Sequence, residues 1–286
     1  MLLAVSSRVP FRVAMPHPAA AQKMRQNGVA IWELPRAKMN AMLTAIPKTD
    51  AERYERLRQD FAGFGCTGSR LEEQALDKKV RHRNLVCTLP GEVPQAIIIS
   101  GWYSKRRIYN GDSAGWPDAA MLPMLYNALS AEPHHFTLLF AELDGDNGEW
   151  HFFHDLKKSG PSPVVLVDLS ALGFGVPHFT VVAPQFLPAG VRPVAQVVLN
   201  TAWTVAEFQG LDADPSYEGL NTLFGIQPAP VSGEPGDCPR ISVFSTFGSD
   251  VTLEHFRQDH DFLAFLLGGI DSRFVAQSAA PGPAPR

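Results

Sequence analysis

Cysteine is scarce in this sequence. Among 286 residues there are three, Cys66, Cys87 and Cys238, and no two form a Cys-x-x-Cys pair, which excludes thiolate zinc ribbons and thioredoxin-like redox chemistry. One disulfide can form, but three cysteines decide no compartment. No His-Glu-x-x-His run occurs, so the helix-borne zinc site built on that motif is absent. No stretch of 18 apolar residues exists, which excludes a membrane-spanning helix. Charge is low: charged residues are 19% against a usual ~25%. Lys+Arg 25 against Asp+Glu 29 gives a net charge of −4, which excludes a generally basic nucleic-acid footprint. A secretory leader is poorly formed. Leu2–Val5 is too short for its apolar core, Arg8 and Arg12 interrupt it, Pro16 and Pro18 follow, and Ala19-Ala20-Ala21 resembles a cleavage site only loosely. The cytoplasm is therefore favoured slightly, with a secreted or periplasmic location as the alternative.

What is present describes a folded chain. Apolar residues make up 45%, so disorder does not describe the whole. Glycine (23) and proline (24) are in excess without a Gly-X-Y period, which points to many loops rather than collagen. At roughly 150 residues per domain the length allows one or two domains. Residues 1–48 carry no clean period and read as an N-terminal arm or irregular packing segment. Thr49-Asp50-Ala51-Glu52 is a capping box that opens a helix to about Phe61, stopped at Gly63 or Gly65. Ser69-Arg70-Leu71-Glu72 repeats the device and predicts a second helix through about Leu76. Asn84–Leu89 and Ala96–Ser100 read as strands, the second β-branched and covered on both faces. Ala119–Leu129 has helical spacing, with Pro117 in its first turn and Pro123 as a kink. Phe136–Leu143, Val164–Leu169, Phe179–Ala183, Ala195–Leu199 and Ile241–Phe244 read as strands. Glu149–Leu156, Ala202–Phe208 and Val251–Leu267 read as helices. Residues 273–286 read as a disordered Pro-rich tail, leaving one domain at 49–272. Strands alternating with helices predict a three-layer α/β/α sandwich around a mostly parallel central sheet, with ligands beyond the carboxyl ends of its strands.

Acidic residues gather at those ends. Asp112 follows AIIIS, Asp144-Gly145-Asp146-Asn147 follows FTLLFAEL, and Asp168 ends VVLV. Oxygen ligands from separate loops could hold a metal ion, although acidic residues also simply populate loops and cap helices. The order of the segments resembles the zinc-dependent exopeptidase family that contains bacterial leucyl-type aminopeptidases and glutaminyl-peptide cyclotransferases. NLVCTLPG stands where that family has an Asn-[Ile/Val]…Gly strand and turn. AIIISGWYSK stands at the strand ending His-Tyr-Asp-Ser. GDSAGWPDAA resembles the cyclotransferases' Thr-Asp-Ser-Ala-Val-Pro-Cys-Ala, FTLLFAELDGDN resembles the strand ending Phe-Asp-Gly-Glu-Glu, and VVLVDLSALG resembles the one carrying Leu-Asp-Met-Ile-Gly. The resemblance spans about residues 50–270.

That resemblance implies a site in which His, Asp and Glu side chains hold zinc and a neighbouring Glu is the general base. Carried onto this chain, Asp112 and Asp168 match the two Asp ligands. Asn147 occupies the Glu-ligand position and Asp146 the general-base position. Trp102 replaces the first His, Ser104 stands about where the next Asp would be, and Ser245–Asp250 replaces the segment carrying the late His. Indole has no acceptor lone pair for a metal, and an Asn oxygen carries no charge. Zinc normally takes nitrogen or sulfur ligands besides carboxylates, so the implied cofactor state is none. The resulting reading is a retained peptidase fold with lost or altered chemistry, binding a peptide or small-molecule ligand in the old cleft, with Trp102, Trp116 and His178 around it. The alternative is an active zinc aminopeptidase or glutaminyl cyclase with rearranged ligands, using zinc, with His178 as a candidate ligand. A second alternative takes Gly111-Asp112-Ser113-Ala114-Gly115 as a nucleophile elbow and Ser113 as a serine-esterase nucleophile. His134-His135 read as solvated. His151, His154 and Asp155 read as a surface group, and His255 and His260 as the polar face of the last helix. No nucleic-acid partner is expected, and the oligomeric state is not legible.

Overall fold

A computed structural model describes residues 22–26, 28–76, 83–104, 115–181, 189–211, 238–245 and 250–278. The described residues open with a small hairpin, β1 (Gln22–Gln26) and β2 (Val29–Glu33), followed by α1 (Arg36–Thr44) and α2 (Asp50–Gly63). The capping box is formed: the Thr49 hydroxyl accepts from Glu52 N at 3.2 Å while the Glu52 carboxylate accepts from Thr49 N at 3.0 Å. Then come β3 (Leu71–Ala75), β4 (Arg83–Leu89), β5 (Gly91–Trp102), α3 (Trp116–Leu129) and β6 (His134–Leu143). The last elements are α4 (Gly145–Ser159), β7 (Pro163–Ser170), β8 (Pro177–Val181), α5 (Arg192–Phe208), β9 (Arg240–Ser245) and α6 (Leu253–Ser278).

Among the described residues, seven strands form one mixed sheet in the order β3-β4-β6-β5-β7-β9-β8. The inner strands β6, β5, β7 and β9 are mutually parallel. The pairs β3–β4, β4–β6 and β8–β9 are antiparallel. The expected parallel sheet is thus its centre, with antiparallel margins on both sides. β5 lies between β6 and β7, so the chain steps one way through α3 and the other way through α4. Right-handed crossovers in opposite directions put their helices on opposite faces. The burial pattern agrees. Ile97, Ile99, Leu138, Phe140, Val165 and Val167 pack in one cluster with α3 and α6. Ile98, Leu139, Ala141 and Leu166 pack with Phe152, Phe153 and Leu156 of α4. α3 is buried along its whole length, as expected of a helix without a polar face.

Several local expectations are corrected. Residues 71–75 form the strand β3 rather than a helix, pairing Leu71 with Cys87 through Ala75 with Arg83. A helix that short is marginal by itself, and cross-strand pairing with β4 outweighs its capping signal. The strand expected at Ala195–Leu199 is the first half of α5. Ala195, Val198, Ala202 and Val205 are buried at helical spacing, so two short apolar runs are one amphipathic helix. Within the expected arm, residues 22–44 form the hairpin and α1, and Val29, Ile31, Leu34, Met39, Met42 and Leu43 join the main core. The last helix continues to Ser278, past the expected start of the tail. His134 is buried, with Nδ1 3.2 Å from Asp271 Oδ2 and Nε2 2.6 Å from the Leu129 carbonyl. Asp271 also accepts from the backbone of His135 and Phe136, which pins α6 to the start of β6. Burial alone would raise the Asp271 acid, but the hydrogen bonds from His134, Phe136 and His135 hold it below its ordinary value.

Candidate site at the carboxyl ends of the sheet

The crossover direction reverses at β5, and in such sheets ligands bind beyond the carboxyl ends of the strands at that point. Strand alternation puts Ser100, Trp102 and Asp168 on the α4 face. There they form one polar cluster. The Ser100 hydroxyl donates to Asp168 Oδ1 at 2.8 Å. Arg240, at the start of β9, donates through Nε to Asp168 Oδ2. A second guanidinium nitrogen of Arg240 lies 4.0 Å from Glu149 Oε1. Glu149 Oε2 accepts from the Trp102 indole N–H at 3.1 Å. Glu149 is buried, one turn into α4 from the Asp-Gly-Asp-Asn sequence. The guanidinium therefore stands between two carboxylates, its planar fork matched to carboxylate geometry.

The remaining candidate positions scatter. Asp146 and Asn147 lie in the first turn of α4 and are exposed. Trp116 is buried on the other face, its indole N–H donating to the Met42 carbonyl at 3.0 Å, so the two indoles do not share a wall. His178 lies on the edge strand β8, opposite Phe244 in register with ring centroids 5.8 Å apart. The whole of β9 separates it from Asp168. Asp112 and Ser113 lie outside the described residues. Of the surface group, His154 stacks on Trp150 at 4.8 Å, while Phe152 and Phe153 point inward. His260 is buried rather than on a polar face.

A second polar cluster was not foreseen. The loop after β7 turns sharply, with Ala171 at φ 54° and Gly173 at φ 84°. Asp118, from the first turn of α3, accepts the backbone N–H groups of Ala171 at 3.1 Å and Leu172 at 2.8 Å. Asp259, from α6, accepts the Gly173 N–H and the Ser245 hydroxyl, each at 2.6 Å. Beside this loop lies a cleft of ≈ 390 Å³. Phe174, Leu43, Ile46, Pro117, Val251 and Leu253 give it apolar walls, and Asn40, Thr44 and Asp250 give it polar edges.

Among the described residues, no three His, Cys, Asp or Glu side chains gather as a metal ion would need. The carboxylate that matches a zinc ligand already serves a hydroxyl and a guanidinium. Sequence reasoning missed Arg240 and Glu149. Their signals were an arginine opening an otherwise apolar strand and a glutamate one helical turn beyond Asp146, and neither is specific.

No protein-family model matches the sequence, and no curated protein matches it. Solved structures do. A glutaminyl cyclase from an Acidobacteriales bacterium is similar over 91% of this chain and 100% of its own, with TM-score 0.59 and 14% identity. The Fimbriiglobus ruber glutaminyl cyclase is similar over 90% and 99%, with TM-score 0.56 and 14% identity. The LapA aminopeptidase of Legionella pneumophila is similar over 82% and 70%, with TM-score 0.55 and 11% identity. The chain shares their fold.

Proposed function

We propose that this protein is a zinc-exopeptidase-like domain of three α/β/α layers that binds a peptide or small-molecule ligand in its strand-end cleft and does not work by the family's zinc mechanism. One observation carries the reading: both oxygens of Asp168 are engaged, one by Ser100 and one by Arg240. A zinc ion would have to displace a guanidinium that needs no cofactor supply and keeps its charge at every working pH. The cleft that would take the ligand is the one beside the loop after β7, walled by Leu43, Ile46, Pro117 and Phe174 rather than by the Asp168 cluster; its ≈ 390 Å³ and few polar groups suit a small ligand.

Elemental analysis of the purified protein tests the reading. The wild type is expected to hold no stoichiometric zinc after dialysis against micromolar zinc, and to release no residue from aminoacyl-fluorophore or glutaminyl-peptide substrates with zinc supplied. Stoichiometric zinc that is lost in Asp168→Ala, or chelator-sensitive turnover, would overturn it.

A further inference from the structure

The loop after β7 has the backbone of an anion site. Ala171 at φ 54° and Gly173 at φ 84° are left-handed, and Leu172 between them is not. Such alternation turns successive N–H groups into one concavity, a nest that attracts negative charge. All three N–H groups here meet carboxylates. Asp118 of α3 takes the Ala171 N–H on Oδ2 at 3.1 Å and the Leu172 N–H on Oδ1 at 2.8 Å. Asp259 of α6 takes the Gly173 N–H on Oδ2 at 2.6 Å, and Ser245 Oγ shares that donor at 2.9 Å. Both acids are buried, so the nest is filled by the protein's own side chains. It also adjoins the cleft. Pro117, next to Asp118, and Phe174, next to Gly173, both line it. The Gly173 carbonyl accepts from Thr252 N at 3.0 Å, and a β-carbon on Gly173 would stand 2.8 Å from Val251 Cγ1, another lining residue.

We propose that Asp118 and Asp259 are positioning residues of the cleft: from two helices, their carboxylates fill one backbone nest and so fix Phe174 as a preformed wall. This rests on the reading that the cleft beside the loop takes the ligand. The wall then sets the shape to be matched, and a ligand enters between Phe174 and α1 without waiting for the loop to close. The two holds are separate. Asp118 secures Ala171 and Leu172, while Asp259, with Ser245, secures Gly173. Removing one acid therefore frees its own amides and leaves the other hold in place. Without Asp118, nothing offsets the disfavoured hand of Ala171, and two N–H groups lose the acceptors they face. Charge matters as well as shape, because a hydrogen bond to an ionised carboxylate is stronger than one to a neutral acceptor.

Amide hydrogen exchange on the full chain tests the assignment, with a ring fluorine on Phe174 as reporter of the wall. Asp118→Ala should lower the protection of Ala171 and Leu172 by about tenfold or more, as expected for hydrogen bonds to a charged group, and leave Gly173 nearly unchanged. Formate, which fits the space of the missing carboxylate, should restore that protection. Formamide, neutral and of similar shape, should not. Asp259→Ala should lower Gly173 instead. The fluorine resonance should keep its position while one acid remains and move to that of a mobile ring when both are gone. Unchanged protection of Ala171 and Leu172 in Asp118→Ala, equal effects of formate and formamide, or an unmoved fluorine signal in the double variant overturns the assignment. If a variant does not fold, Asp118→Asn decides: it keeps the shape but gives up one acceptor oxygen, and wild-type protection of both amides there overturns the assignment too. Every readout is of the loop, so a fixed wall beside a cleft that takes no ligand would overturn only the ligand reading.

Discussion

Glu142 is a buried acid whose charge meets no partner among the described residues. It lies one residue from the end of β6, in register with Leu85 of β4 and Gly101 of β5. It is fully buried, and neither carboxylate oxygen has a partner among the described residues. Burial pushes its acid well above the ordinary value, and the charges of Asp118 and Asp60 add to this. A raised acid contributes stability that is fully present below its unfolded value of about 4.5 and is lost as pH climbs toward its folded one. Glu142→Gln is therefore expected to reduce the loss of urea stability between pH 5 and pH 8. Glu142→Leu, which removes an unsatisfied polar group that costs about 1–3 kcal/mol, should raise stability at pH 8 by a similar amount. Urea midpoints at the two pH values check both. An unchanged pH difference in Glu142→Gln would show that Glu142 is not the titrating group. The same physics limits what the sequence discloses at this scale. Asp168 stood out by its place at the end of an apolar strand. Asp259 and Glu142 did not, because a buried acid within an apolar pattern looks like any helix or strand acid until the tertiary neighbours are known.

At the scale of elements, the sequence was most readable where one period ran long enough. AIIIS, FTLLFAEL and VVLV became β5, β6 and β7 because uninterrupted β-branched and aromatic runs fit only strands covered on both faces. The misreadings were short. LEEQA carries a capping signal at its start, but it pairs along β4, and that pairing is non-local information. The pairing is also stapled: Cys66, just past α2, is bonded to Cys87 of β4, closing a separation of 21 residues. A loop of about that length restricts the unfolded chain by roughly 3 kcal/mol in the chain-entropy account. Reduction, or Cys66→Ser with Cys87→Ser, is expected to lower urea stability by about that amount while the far-ultraviolet dichroism of the folded protein stays the same. An equal midpoint with and without reductant would mean that the staple adds nothing beyond what β3–β4 pairing already fixes.

At the scale of the whole molecule, the described residues share one principal core, and its least expected contributor is the segment 29–43. Val29, Ile31, Leu34, Met39, Met42 and Leu43 all lie in the cluster that holds α3, α6 and the sheet. The fit is close: α6 presents Gly268, where a β-carbon would come within 2.4 Å of Val29 Cγ1, so the hairpin sits in a notch cut for it. The Met42 carbonyl accepts the Trp116 indole N–H, and α1 supplies Asn40, Leu43 and Thr44 to the cleft. A stretch of mixed polarity and no clean period thus conceals a core element, because its apolar residues are divided between a strand and a short helix and neither gives a long pattern. Burying such side chains is worth about 1.5–3 kcal/mol each, so the group together matches or exceeds the ~5–15 kcal/mol that holds a typical domain. A chain that begins at Thr49 is accordingly expected to lose cooperative unfolding and near-ultraviolet dichroism and to expose α3 and α6 to aggregation. The full chain should unfold in one sharp thermal transition. If the shortened chain keeps a sharp transition at an unchanged Tm, the domain begins at α2, and the hairpin and α1 only cover a cleft that would stand without them.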